Sequence, residues 1–222
     1  MTDLCKRLGI SKSTMFSLLN TMEALGWLEQ TPQGTLAPGK YLGFLGNSFF
    51  QQYDLVAAFA KEARPFMLRV GESFQLATLD GDEVLYLAKE TAPTPVQMVS
   101  GPGVRFPAHA TGLGKVLLAG LSESELRRLY PEESLKTLTP HTISSRTKLF
   151  ETLEIVRKQG YALDHQECVM GFNCVAAPVR QANGKVTAAV SVSMPVHVWE
   201  QKRDLALREV LTLAARLSLD RP

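Results

Sequence analysis

The sequence predicts an α+β chain: a small helical domain closed by a β-hairpin, a linker helix, and a larger domain whose sheet is mostly antiparallel. Three observations carry this. Two short helical patterns meet at Gly9 and are followed at once by a hairpin punctuated by proline and glycine. Near residue 71 the spacing of apolar residues changes from helical to alternating. Beyond that point strands recur in a meander with helices inserted between them, the pattern of an α+β domain. The boundaries are 1–40, 41–70 and 71–222.

In the first domain, Thr2 to Leu8 is a short helical pattern with Leu4 and Leu8 four residues apart. Gly9 turns the chain, and Ser11 is placed to cap a second helix. Met15, Leu18, Leu19, Met22 and Leu25 give that helix one apolar face, while Lys12, Ser13, Phe16, Ser17 and Asn20 lie on the other. Two helices joined by such a turn form a helix-turn-helix, a motif that places its second helix in the DNA major groove. Trp27 and Leu28, the turn Thr31-Pro32-Gln33-Gly34 and the piece around Leu36 read as a hairpin. A hairpin in that place is a wing, expected beside the phosphate backbone.

From Tyr41 to Val70 the pattern is helical, with Leu42, Leu45, Phe49, Leu55, Phe59 and Ala63 forming a stripe and Pro65 placed to break or restart it. In the third domain, Phe74–Leu79 and Glu83–Ala88 alternate around an Asp80-Gly81-Asp82 turn, and residues 95–99 read as a third strand. Helices are expected over Thr111–Ala119, from Ser122 (a capping box with Glu125), over Arg146–Gln159, and over Arg203–Leu219. Strands are expected at Cys174–Val179 and Val186–Ser193, separated by an Asn183-Gly184 turn.

Composition narrows the function classes. Lys and Arg total 24 against 22 Asp and Glu, a net charge of +2, so any nucleic-acid surface must be a local patch. No apolar run is long enough to span a bilayer, and Cys5, Cys168 and Cys174 are an odd set without framework spacing, which predicts a cytoplasmic protein. Neither G-x-S-x-G nor H-E-x-x-H occurs, and the four histidines are scattered, so an enzyme is not expected and no cofactor is implied.

Five local patterns resemble the IclR family of bacterial transcriptional regulators. They are Lys12-Ser13-Thr14 followed by Leu18-Leu19; Tyr41-Leu42-Gly43; Pro107-Ala108-His109-Ala110-Thr111-Gly112-Leu113-Gly114-Lys115; Gly160-Tyr161-Ala162-Leu163-Asp164; and Gly171-Phe172-Asn173-Cys174-Val175-Ala176-Ala177-Pro178-Val179. Their order and separations make the set specific. The resemblance implies an N-terminal winged helix-turn-helix, a linker helix and a GAF-like effector-binding domain. It further implies a homodimer or homotetramer on a palindromic double-stranded operator. Family members carry a further helix ahead of Thr2, so this domain reads as lacking its first helix, with Leu4, Leu8, Leu18 and Leu19 short of partners. Ser17 stands where the family has an arginine.

The DNA-contacting residues expected are Ser11, Lys12, Ser13, Thr14, Phe16, Ser17 and Asn20, with Thr31, Gln33 and Lys40 on the wing. The resemblance places effector contacts at Gly112, Leu113, Asp164, Cys174, Ser191 and Ser193. Ser191 and Ser193, two apart on a strand, share a face, and Met98, Val104 and Phe106 are candidates for an apolar wall. A helix beginning at Thr111-Gly112 offers free amides to an anion, whereas Asp164 would repel one unless protonated or bound to a hydroxyl. A hydroxylated or keto organic acid fits both. The rival expectation is a redox or metal sensor using His165, Cys168 and Cys174.

Overall fold

The computed structural model describes residues 2–31, 34–45, 54–95 and 98–219. The chain divides into two compact units, one ending at Asp54 and the other beginning at Leu55.

In the first unit α1 (Thr2–Leu8) and α2 (Lys12–Ala24) flank a turn in which Gly9 takes φ +64°. The Ser11 hydroxyl accepts the Thr14 N–H at 3.1 Å and so caps α2. Strands β1 (Leu28–Gln30) and β2 (Leu36–Pro38) pair antiparallel, and residues 40–45 are helical. Gly26 has φ +68°, and a Cβ there would meet the Tyr41 ring at 2.8 Å, so the junction of helix and hairpin needs glycine twice over. Met15 is the fully buried apolar side chain of this unit among the described residues. Leu4, Leu8, Leu18 and Leu25 are exposed and Leu19 is half-buried.

The second unit is one six-stranded antiparallel sheet in the order β5-β4-β3-β8-β7-β6. Its strands are β3 (Ser73–Asp80), β4 (Glu83–Glu90), β5 (Arg105–Pro107), β6 (Ala162–His165), β7 (Phe172–Arg180) and β8 (Val186–Pro195). Against one face pack α3 (Asp54–Val70) and α7 (Val196–Leu219), burying Phe59, Phe66, Trp199 and Leu213 on Phe74, Val175, Val190 and Val192. Against the other pack α4 (Gly112–Ala119), α5 (Glu123–Leu129) and α6 (Arg146–Gln159), burying Leu113, Leu117, Leu149 and Leu153 on Ala77, Ala176 and Ala189. The period-2 alternation of β7 and β8 thus sends Val175, Val190 and Val192 to one layer and the smaller Ala176 and Ala189 to the other. Small residues on β7 and β8 let α4 approach closely. A Cβ on Gly114 would stand 2.0 Å from the Ala108 carbonyl oxygen.

Several expectations change. Within the expected linker helix 41–70, the described residues 41–45 and Asp54–Val70 are helical, Asp54–Val70 contributes core residues to the second unit, and Phe49 lies outside the described residues. Pro65 sits inside α3 without ending it, because Ala63, Phe66, Met67 and Val70 are held by the core on either side. Of the strand expected at 95–99, residues 95, 98 and 99 are not in a strand, and 96–97 lie outside the described residues. The last helix begins at Val196, not Arg203.

Candidate functional site

The surface expected to meet DNA is the outer face of α2. Ser11, Lys12, Ser13, Thr14, Phe16, Ser17 and Asn20 are all exposed, Phe16 by 57%. Three hydroxyls cluster at the helix start: Ser11 Oγ lies 2.9 Å from both Ser13 Oγ and Thr14 Oγ1. On the hairpin, Thr31 Oγ1 and Thr35 Oγ1 are 2.7 Å apart and Gln33 lies outside the described residues, while Lys40, expected on the wing, is exposed at the start of the helical residues 40–45 that follow it. An exposed helix N-terminus rimmed by hydroxyls and one lysine suits phosphate oxygens. Four cations, Lys6, Arg7, Lys12 and Lys40, face no ion-pair partner among the described residues of this unit.

In the second unit the N-terminus of α4 meets the sheet at an enclosed cavity. Thr111 caps the helix, its hydroxyl accepting Gly114 N–H at 2.9 Å, which leaves the Gly112 and Leu113 amides without an intrahelical acceptor. Met98, Leu113, Asp164, Cys174 and Ser193 converge on this cavity together with Tyr86, Thr111, Cys168, Val169, Phe172 and Asn173. It holds about 10 Å³, room for roughly one water molecule, so a ligand must open it. A wider cleft of about 640 Å³ lies between α6 and β6 and has Lys115 and Glu167 in its wall. The small cavity is the better candidate because the buried polar groups and the helix N-terminus meet there.

Other expected residues sit one layer back. Gly112 packs on Cys174, and a Cβ there would lie 3.3 Å from Sγ. Phe106 packs edge-on against Tyr86 with ring centroids 5.8 Å apart, and the Val104 carbonyl accepts the Tyr86 N–H. The Ser191 hydroxyl does not open to the cavity but donates to Gln75 Oε1 at 2.9 Å, with Ser193 Oγ 3.4 Å from the same oxygen. Gln75 was missed by sequence reasoning. Its signal was a long polar side chain in the middle of an otherwise apolar strand.

Beneath Asp164 lies a charge cluster that also escaped the sequence. Asp164 Oδ1 accepts the Glu167 N–H at 2.7 Å. The Glu167 carboxylate binds Lys115 Nζ at 2.5 Å, with side-chain exposures of only 9% and 3%. Thr139 and Thr142 hold the same loop by donating to the carbonyls of Gln166 and Glu167 at 2.7 and 2.6 Å. Burial pushes the Asp164 carboxyl up to about 7, with Lys115 opposing and Glu167 adding to the rise. Burial likewise raises the Cys174 thiol to about 12 and the Cys168 thiol further.

A helix-turn-helix with a hairpin in one unit, and a six-stranded sheet with helices on both faces around a small polar cavity in the other, point to a DNA-binding regulator with its own effector domain. The comparisons agree. Residues 1–32 match the IclR helix-turn-helix domain, and residues 48–219 match the bacterial transcriptional regulator IclR C-terminal domain. The chain therefore belongs to the IclR family of transcriptional regulators. It is 38% identical to the HTH-type transcriptional regulator XynR of Escherichia coli K12 over 87% of this chain and 77% of that one. It is 33% identical to the regulator KdgR of Dickeya chrysanthemi over 97% and 71%. Among solved structures, the IclR regulator from Alicyclobacillus acidocaldarius superposes with a TM-score of 0.87 at 29% identity, covering 98% of this chain and 88% of that one. These relatives are transcriptional regulators, not enzymes. No helix among the described residues is long and apolar enough to cross a membrane.

Proposed function

We propose that this regulator binds a palindromic double-stranded operator as a homodimer or homotetramer in the cytoplasm, and that a small organic acid in the α4 cavity modulates that binding. Ser11, Lys12, Ser13, Thr14, Ser17 and Asn20 would meet phosphates and base edges, Phe16 would pack on the groove wall, and Thr31, Gln33 and Lys40 would follow the backbone from the wing. Each domain carries little net charge, so affinity has to come from two recognition helices engaging together, spaced to successive major grooves roughly 34 Å apart. The effector acts by favouring one arrangement of the helices over another.

The observation that carries the effector reading is the meeting of two unlike groups at one buried cavity: the N-terminus of α4 at Thr111 and Leu113, and the carboxyl of Asp164. The first suits an acid group and the second a hydroxyl or keto oxygen. Leu113, Cys174 and Ser193 complete the contact surface, with Met98 as an apolar wall; Val104, Phe106, Gly112 and Ser191 support it from behind. Footprinting on genomic DNA with and without a panel of hydroxy and keto acids tests both halves. Protection of a palindrome that one acid strengthens or releases is expected. Absence of any specific protected site would overturn the DNA reading, and protection indifferent to every acid would overturn the effector reading.

The redox or metal alternative has less support. High thiol pKa values keep Cys168 and Cys174 in their unreactive form. Among the described residues no three His, Cys, Asp or Glu are grouped to hold a metal ion.

A further inference from the structure

We infer that entry of an anionic effector into this cavity is coupled to the uptake of one proton from solvent, and that the proton goes to the Asp164 carboxylate. The inference rests on the organic-acid reading above and concerns how that site is regulated.

The geometry is a matter of counting charges. Asp164 and Glu167 are both at least nine-tenths buried and lie against each other through the Glu167 N–H. One ammonium, Lys115, serves both, and it is committed to Glu167 Oε1, while Glu167 Oε2 takes no hydrogen bond. The wall of the cavity therefore carries one surplus negative charge when both carboxyls are ionised. No lysine, arginine or histidine lines the cavity among the described residues; Lys89 stands behind the Met98 wall, donating to the Met98 carbonyl at 3.1 Å, and the positive charge that faces the cavity itself is the partial charge of the α4 N-terminus, about half an elementary charge.

The groups facing Asp164 leave it as the member that titrates. Lys115 comes from α4, Glu167 and Cys168 from the loop after β6, Cys174 from β7 and Tyr86 from β4. Burial raises Tyr86, Cys168 and Cys174 away from neutrality, so these three stay uncharged. His165 lies beyond Glu167, and burial lowers it toward the neutral form. Asp164 is left at about 7, where a nearby anion decides its state. With the effector bound, an ionised Asp164 would put two uncompensated charges in a space of low dielectric. Protonated, it removes that repulsion and gains an O–H to donate to the ligand's carboxylate or keto oxygen. Lys115 and Glu167 also line the wider cleft between α6 and β6, which gives the cluster an open side toward solvent.

Isothermal titration of the full chain with lactate, 2-oxobutyrate and mandelate, from about pH 5.5 to 8.5 and in buffers of different ionisation enthalpy, tests this. Since Asp164 is already protonated at low pH, the dissociation constant should be flat there and should weaken by about tenfold per pH unit above roughly pH 7.5. Over that upper range the dependence of heat on buffer should report close to one proton taken up per acid. Asp164→Asn, neutral at every pH, should bind with an affinity that does not change with pH. Should that variant fail to fold, the buffer dependence of the wild-type heat still decides. An affinity independent of pH, with no buffer dependence, would overturn the coupling and leave the organic-acid reading standing. No binding of any of the three acids at any pH would overturn both.

Discussion

Gln75 shows how much of this site depends on a residue that no local pattern announces. The spacing of Ser191 and Ser193 makes them neighbours on one face of a strand, and the structure keeps them so, but their common acceptor comes from β3. The pairing of Gln75 with Ser191 is a matter of inter-strand register, which the sequence leaves unspecified. The Lys115–Glu167 pair is the same kind of case: a helix residue and a loop residue meet only because α4 packs on the sheet beside β6. Gln75→Leu should leave two buried hydroxyls without their acceptor, at about 1–3 kcal/mol each, and lower the urea midpoint accordingly. Adding Ser191→Ala removes one orphaned hydroxyl and should recover part of the loss. A double variant no better than additive would show that the hydroxyls find other partners.

At the scale of elements, what was legible followed the length of the pattern. The long strands around Phe74, Leu85, Val175 and Val190 alternate over enough residues to be read, and caps such as Ser11 and the Ser122–Glu125 box mark helix starts directly. Strands β5 and β6, three and four residues long, are too short to alternate convincingly, and β6 is the one that carries Asp164. The stretch at 95–99 has the apolar content of a strand, yet Pro95 offers no N–H to a ladder and Val99 is 85% exposed. Helix α2 was legible as a helix but not in its packing: of the stripe Met15, Leu18, Leu19, Met22 and Leu25, Met15 is the member that is fully buried. Its outer face gives the cleanest test of the DNA reading. Ser17 is exposed in the middle of that face and uncharged. Ser17→Arg should tighten operator binding and steepen the dependence of log K on log salt by about one. If neither changes, residue 17 does not approach the phosphates.

On the proposed reading the whole molecule couples two equilibria, effector binding and operator binding, and such coupling is reciprocal. Whatever factor the bound acid changes in operator affinity, bound operator must change in acid affinity, in the same direction. This holds whether the acid releases the regulator or recruits it, so it can be measured before the sign of regulation is known. Proton uptake adds a third participant. At a fixed, subsaturating acid concentration, raising the pH through the upper range lowers occupancy of the cavity, so the acid's effect on operator binding should shrink between about pH 6.5 and 8.5. At saturating acid the change should largely vanish, because mass action then fills the cavity at both pH values. Fluorescence anisotropy of a labelled operator, titrated at the two pH values with no acid, with limiting acid and with saturating acid, separates these cases. A pH effect of equal size without acid would locate the titrating group at the DNA-binding surface instead of at Asp164. A pH effect confined to limiting acid would join the proton, the effector and the operator in one linked equilibrium.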